Sequence, residues 1–171
     1  MAKKYNIKNS KERDLFRMLG NVGVIDMDSA NKHFGKENIS SLCERNYLKT
    51  EKHYGDKVFI LSDKGREYTK KYLVNKLYKR NSKQIDHDLK LADKYLEIYS
   101  YNKKEAYSWM NETRIRDYFK DQGKDVSNID AAYFSKGKLI AVEAISKSYS
   151  NQTISEKVEI MEEHFDGHCL L

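Results

Sequence analysis

Asp130 and Glu143 are the side chains whose types and spacing in this sequence most suggest chemistry. Residues 128–146 hold two apolar runs on either side of Lys136-Gly137, a pattern that predicts a two-residue β-hairpin. With those two residues as the turn, Ser135 faces Lys138, paired numbers sum to 273, and Asp130 lies opposite Glu143 on one face. Carboxylates so placed, with Cβ atoms about 5 Å apart, repel each other unless something cationic sits between them. A metal ion is one answer; an Arg or Lys from elsewhere in the chain is another. A pair of this kind can hold magnesium, which activates water and neutralises charge on a phosphate, so Asp130 and Glu143 are the candidate metal ligands.

A second group suits a polyanion. The segment 36–46 carries Ile39, Leu42 and Cys43 at helical spacing on one face, and Lys36, Asn38, Ser40, Ser41 and Arg45 on or beside the other. A helix fits the DNA major groove, where base edges display a full donor and acceptor code, and these are side chains that can read it. Lys49, Lys52, His53 and Lys57 follow in a short loop-bearing stretch, where they would add salt-dependent affinity for phosphates. Glu37 and Glu44 share the outer face of the helix and oppose that attraction.

The elements that would position this second group come in a telling order. Ser10 is a plausible N-cap for a helix over 11–19, ended by the Gly20-Asn21-Val22-Gly23 stretch. Asp26 or Asp28 caps a short helix over 29–34, which Gly35 closes before the helix over 36–46. Residues 47–53 and 57–61 read as strands joined at Tyr54-Gly55-Asp56, and Ser62 opens a helix carrying Tyr68, Tyr72, Leu73 and Leu77. The run from Asn46-Tyr47-Leu48 through the hairpin to Leu61-Ser62-Asp63-Lys64-Gly65 resembles the wing region of winged-helix transcription regulators. That resemblance covers about residues 8–79 and implies contact with double-stranded DNA, although some winged helices serve protein contacts alone.

Beyond residue 80 the spacing predicts a long amphipathic helix from Lys83 to Tyr99, which either packs internally or pairs with its copy in a homodimer. A further helix carries Ala106, Tyr107, Trp109, Met110, Ile115 and Phe119 and ends at Gly123, and another covers about 155–165. His87 has no metal partner near it in sequence. The pair Ile129-Asp130 and Val142-Glu143-Ala144-Ile145 resembles the PD-(D/E)xK nuclease core. On that resemblance Glu112 stands where many members have an acidic residue. The lysine expected two places after the glutamate is replaced by Ile145, and Lys147, or Lys157 in the next helix, is a migrated substitute. The resemblance therefore implies Glu112, Asp130, Glu143 and Lys147 as catalytic candidates, with Mg²⁺ only if the site is intact. The absent lysine and a chain too short for the last strand together argue for an incomplete sheet and a decayed site. The whole order is similar to the replication-relaxation family of plasmid and mobile-element proteins, at Leu61 to Gly65, His87 to Asp93, Trp109 to Glu112, Asp130 to Ala132 and Val142-Glu143.

Composition agrees with two parts. Residues 1–80 hold 19 Lys and Arg against 10 Asp and Glu, a charge of +9, and residues 81–171 carry −3, for a net +6. Thirteen Tyr, six Phe and one Trp exclude a disordered chain. No apolar run is long enough to span a membrane, and Met1 to Tyr5 lacks an apolar leader, so a cytoplasmic protein is expected. Cys43 and Cys169 have no metal-type spacing and no disulfide is expected. The expected fold is α+β: a winged helix-turn-helix at 1–80, then at 81–171 a helical linker and a small restriction-endonuclease-like α/β domain, incomplete in its sheet. The expected partner is double-stranded DNA, without a cofactor, for a regulator or an accessory replication or transfer factor. A metal-dependent nuclease, or an interaction protein that docks on a host protein, are the alternatives. A homodimer would form through the 83–99 helix or the C-terminal domain.

Overall fold

Asn9, not Ser10, starts the first helix of the computed structural model, which describes residues 5–126 and 128–171. Its side chain accepts the Glu12 N–H at 3.0 Å and caps α1 (Ser10–Val22). The helix passes through Gly20, where the sequence predicts an end, and the residue's lack of a Cβ there lets Thr69 approach. A Cβ there would sit 2.7 Å from the Thr69 methyl. The turn falls instead at Gly23, with φ +87°. The leader reading of Met1 to Lys4 lies outside the described residues.

The chain divides into two compact units, Met1–Asn81 and Ser82–Leu171. In unit 1, α1 is followed by β1 (Ile25–Asp26), α2 (Met27–Phe34), α3 (Lys36–Glu44), β2 (Leu48–His53), β3 (Asp56–Leu61) and α4 (Asp63–Tyr72). The three strands form an antiparallel sheet in the order β1-β3-β2. Leu15, Phe16, Met18, Phe34, Leu42 and Tyr47 are fully buried at its core. The Ser62-Asp63-Lys64-Gly65 stretch has a clear physical role. Ser62 caps α4 through the Gly65 N–H and donates its hydroxyl to the Asn46 carbonyl. A Cβ at Gly65 would fall 2.2 Å from the Tyr47 carbonyl oxygen, so only glycine fits. Leu77 lies beyond α4, which ends at Tyr72.

Unit 2 opens with α5 (Ile85–Tyr101), whose Leu91, Ala92, Tyr95, Leu96, Ile98 and Tyr99 are buried. Then come α6 (Lys103–Tyr107), β4 (Met110–Asn111), α7 (Glu112–Lys120), β5 (Ala131–Ser135), β6 (Lys138–Glu143), α8 (Asn151–His164) and β7 (Gly167–Leu170). The sheet runs β4-β5-β6-β7, antiparallel except for the parallel pair β6–β7. The β5–β6 register is the expected one, with Ser135 opposite Lys138 and Ala131 opposite Val142. Ala132, Leu139 and Ala141 face a core of Ile115, Phe119, Met161 and Phe165 from α7 and α8. Tyr133 points the other way and stacks on Trp109, which also meets Tyr95 of α5.

Two expectations for this half are corrected. The single helix expected across residues 106–119 is broken at β4. There Met110 and Asn111 pair with Ala132 and Ala131, and Asn111 then caps α7 through the Arg114 N–H. The last strand, expected to be missing, is present as β7. Asp166 clamps its start by accepting the Leu139 N–H at 2.7 Å and donating its own N–H to the Leu139 carbonyl. The architecture as a whole is mixed α+β, with eight helices and two small sheets among the described residues. No helix among them is long and apolar enough to cross a membrane. Both cysteines are free thiols.

Candidate functional site

The expected carboxylate pair forms at the end of the β5–β6 hairpin. The Asp130 N–H donates to Glu143 Oε2 at 3.2 Å, and the Ala144 N–H donates to Asp130 Oδ2 at 2.9 Å. Glu143 has no exposed side-chain surface, and Asp130 has 19%. A buried glutamate beside another carboxylate needs a cation, and two side chains supply one. Lys157 of α8 places its ammonium 2.6 Å from Glu143 Oε1, and also donates to the Asn128 carbonyl. His87 of α5 meets Asp130 Oδ2 through Nε2 at 2.9 Å and Asp88 Oδ1 through Nδ1 at 3.2 Å. A neutral imidazole can donate from only one nitrogen, so two carboxylate partners favour the doubly protonated ring. Hydrogen bonds to Asp130 and then Asp88 hold the His87 pKa up at about 10, against the opposing effect of burial. Burial, then the charge of Asp130, pushes the Glu143 carboxyl up to about 7, while Lys157 pulls it down.

The other two catalytic candidates stand differently. Glu112 is the first residue of α7, one place past the Asn111–Ala131 pair, and its recorded partner is Arg116, at 3.6 Å. Lys147 is exposed, and the lysine that meets Glu143 is Lys157. The helix after β6 brings that residue back across the sheet end, a return that no local spacing announces.

Magnesium, which the nuclease resemblance implies, does not fit this donor set as it stands. The ion requires near-octahedral oxygen contacts and keeps several waters. Glu143 Oε2 accepts the Asp130 N–H, Oε1 is buried with the Lys157 ammonium as its ion-pair partner and no hydrogen bond, and Asp130 Oδ2 accepts two donors. An entering ion would have to displace Lys157 and open a side chain with no exposed surface. Among the described residues no group of three or more acidic, His or Cys side chains is arranged to hold a metal ion.

In unit 1 the expected DNA-facing residues separate into three groups. Lys36, Ser40, Lys49, Lys52 and Lys57 are exposed on α3 and the β2–β3 hairpin. Lys52 stands directly opposite Lys57, an arrangement that opposes pairing unless an anion joins them. His53, half-buried, leans on the ring of Tyr54 at 4.3 Å, and Tyr54 is 87% exposed at the hairpin tip. Lys49 lies 3.7 Å from Asp63, an exposed pair of little energetic weight.

Asn38 and Ser41 are half-buried and engaged by the segment before α1. Asn38 accepts from the Asn9 side chain at 3.0 Å, and Ser41 accepts from Lys8 Nζ at 3.2 Å. Arg45 is a correction. As the C-cap of α3 it folds inward, pairing with the fully buried Glu12 at 2.5 Å and donating to the Ser41 and Asn6 carbonyls. Breaking such a buried pair costs roughly 3–5 kcal/mol, so Arg45 belongs to the framework.

Two further residues escape the sequence reading. Lys8 reaches α3 from across the fold, and Arg80 grips Glu51 of β2 at 2.7 and 2.8 Å, balancing the hairpin's glutamate. Neither contact has a local signature, because the partners are 33 and 29 residues apart.

No family model, curated protein or solved structure matches this chain.

Proposed function

We propose that this protein binds double-stranded DNA through unit 1, folded as a winged helix-turn-helix. In this reading it serves a plasmid, phage or other mobile element as a transcription regulator or an accessory replication or transfer factor. Unit 2 is then a nuclease-like fold that does not cut. One observation carries the reading: Lys36 and Ser40 stand exposed on α3 while the neighbouring hairpin holds Lys49, Lys52 and Lys57 exposed. A groove-sized helix beside a cationic loop suits base edges and phosphates together. The inward turn of Arg45 and the tethering of Asn38 and Ser41 leave base reading chiefly to Ser40 and Lys36. The mobile-element setting rests on the resemblance to the replication-relaxation family.

The test is a fluorescence-anisotropy titration of a duplex across salt concentrations. Wild type should bind with a steep salt dependence. Lys49/Lys52/Lys57→Ala should weaken binding across all sequences and flatten the log–log slope by roughly 2 to 3. No duplex retained at low ionic strength, or an unchanged slope in the triple variant, would end the proposal.

A further inference from the structure

We propose that Lys157 is the resident cation of the Asp130–Glu143 pair, its ammonium and the His87 ring together holding the place that a divalent ion would otherwise take. The inference concerns unit 2 alone and stands whether or not unit 1 binds DNA.

The geometry is that of a filled site. Lys157 Nζ lies 2.6 Å from Glu143 Oε1, donates to the Asn128 carbonyl, and sits 5.5 Å over the Tyr149 ring. Only 12% of its side chain is exposed. A surface lysine paired by chance would keep its head in water; this one is enclosed and has three kinds of partner. On the opposite flank His87 is 16% exposed and fixed between Asp130 and Asp88. Lys157 is anchored by the middle of α8, and His87 by the first turns of α5, so both cations are positioned by helices. Glu143 Oε2 in turn accepts the Asp130 N–H, and Asp130 Oδ2 accepts the Ala144 N–H beside the His87 ring. A hydrated divalent ion would have to expel the ammonium, break these bonds and open a side chain that has no exposure. In place of a metal that comes and goes, the sheet end has a covalently tethered charge.

The test compares wild type, Lys157→Ala and Lys157→Arg as full chains, with Mn²⁺ as the probe. Thermal unfolding in EDTA and in millimolar Mn²⁺ is paired with a direct count of bound Mn²⁺ by electron paramagnetic resonance. Wild type should bind no Mn²⁺ and keep its Tm. Lys157→Ala should lose roughly 10 °C or more in EDTA, recover part of it with Mn²⁺, and bind one ion, a response abolished by adding Asp130→Asn. Lys157→Arg should behave as wild type. Mn²⁺ bound by wild type and lost in Asp130→Asn would overturn the inference, and that result does not depend on how any Lys157 variant folds. A folded Lys157→Ala that ignores Mn²⁺ would overturn it too.

Discussion

Tyr54 occupies the first position of a two-residue hairpin turn with φ +48°, where asparagine or glycine is favoured. A tyrosine held in that conformation at an 87% exposed position costs stability. Its position beyond the Lys52–Lys57 pair, with His53 against it, suits packing on a sugar or base edge while the lysines meet phosphates. Tyr54→Asn should therefore raise stability by about 0.5–1 kcal/mol and weaken duplex binding several-fold without changing its salt slope. Lys136→Asn is the internal control, since Lys136 has φ +49° in the other hairpin; it should stabilise and leave DNA binding alone. Unchanged affinity in Tyr54→Asn would remove any role for the ring. His87 offers a second residue-level prediction. Its folded pKa of about 10 exceeds the unfolded value of 6.5, so the native state holds the extra proton. The stabilisation is complete below pH 6.5 and declines as pH rises from there through 10. Trp109, the sole tryptophan, is buried in the same unit and reports its denaturation. Stability followed by its fluorescence should fall across that window in wild type and fall less in His87→Asn. Parallel curves would show that the ring's charge has no part in holding the sheet end.

Elements were legible wherever a local rule sufficed. The hairpin at Lys136-Gly137 specified its own register, because a two-residue turn leaves one alignment of the flanking runs, and Asp130 and Glu143 came together as that alignment requires. Ser62 and Gly65 marked the start of α4 for reasons now visible in the Tyr47 carbonyl. Non-local pairing was hidden. Met110 and Asn111 continue the helical spacing of Ala106 and Ile115, and only the edge of β5 pulls them into a strand. The strand β7 is four residues long, has no hairpin turn before it, and pairs in parallel with β6 after a helix crosses between them. The same crossover carries Lys157 to Glu143. Of the candidate sites, then, the acidic pair could be read from local spacing, and Lys157 entered only as one of two substitutes suggested by the nuclease resemblance. The His87–Asp130 contact, 43 residues apart, could not be read at all.

At the scale of the molecule, charge is divided as the sequence suggests: +9 over residues 1–80 and −3 over residues 81–171. On the proposed reading, this charge would draw a duplex to the first part, through a field that falls off within roughly 10 Å at 0.1 M salt. The second part has its acidic pair balanced internally and offers no comparable attraction. This division predicts that Glu143→Gln leaves duplex affinity within about twofold of wild type, because Glu143 belongs to the unit to which the proposed reading gives no part in binding, and its charge is paired with Lys157. The same substitution should alter the pH response of stability. With a folded pKa of about 7 against 4.5 unfolded, Glu143 favours the native state below pH 4.5, and that contribution is lost as pH rises through 7. Glutamine cannot ionise, so this part of the slope should vanish while the His87 part, at higher pH, remains. Anisotropy and Trp109 fluorescence on the same preparation read both effects. A tenfold loss of DNA binding in Glu143→Gln would mean that unit 2 takes part in holding the duplex, and the separation of roles by unit would fall.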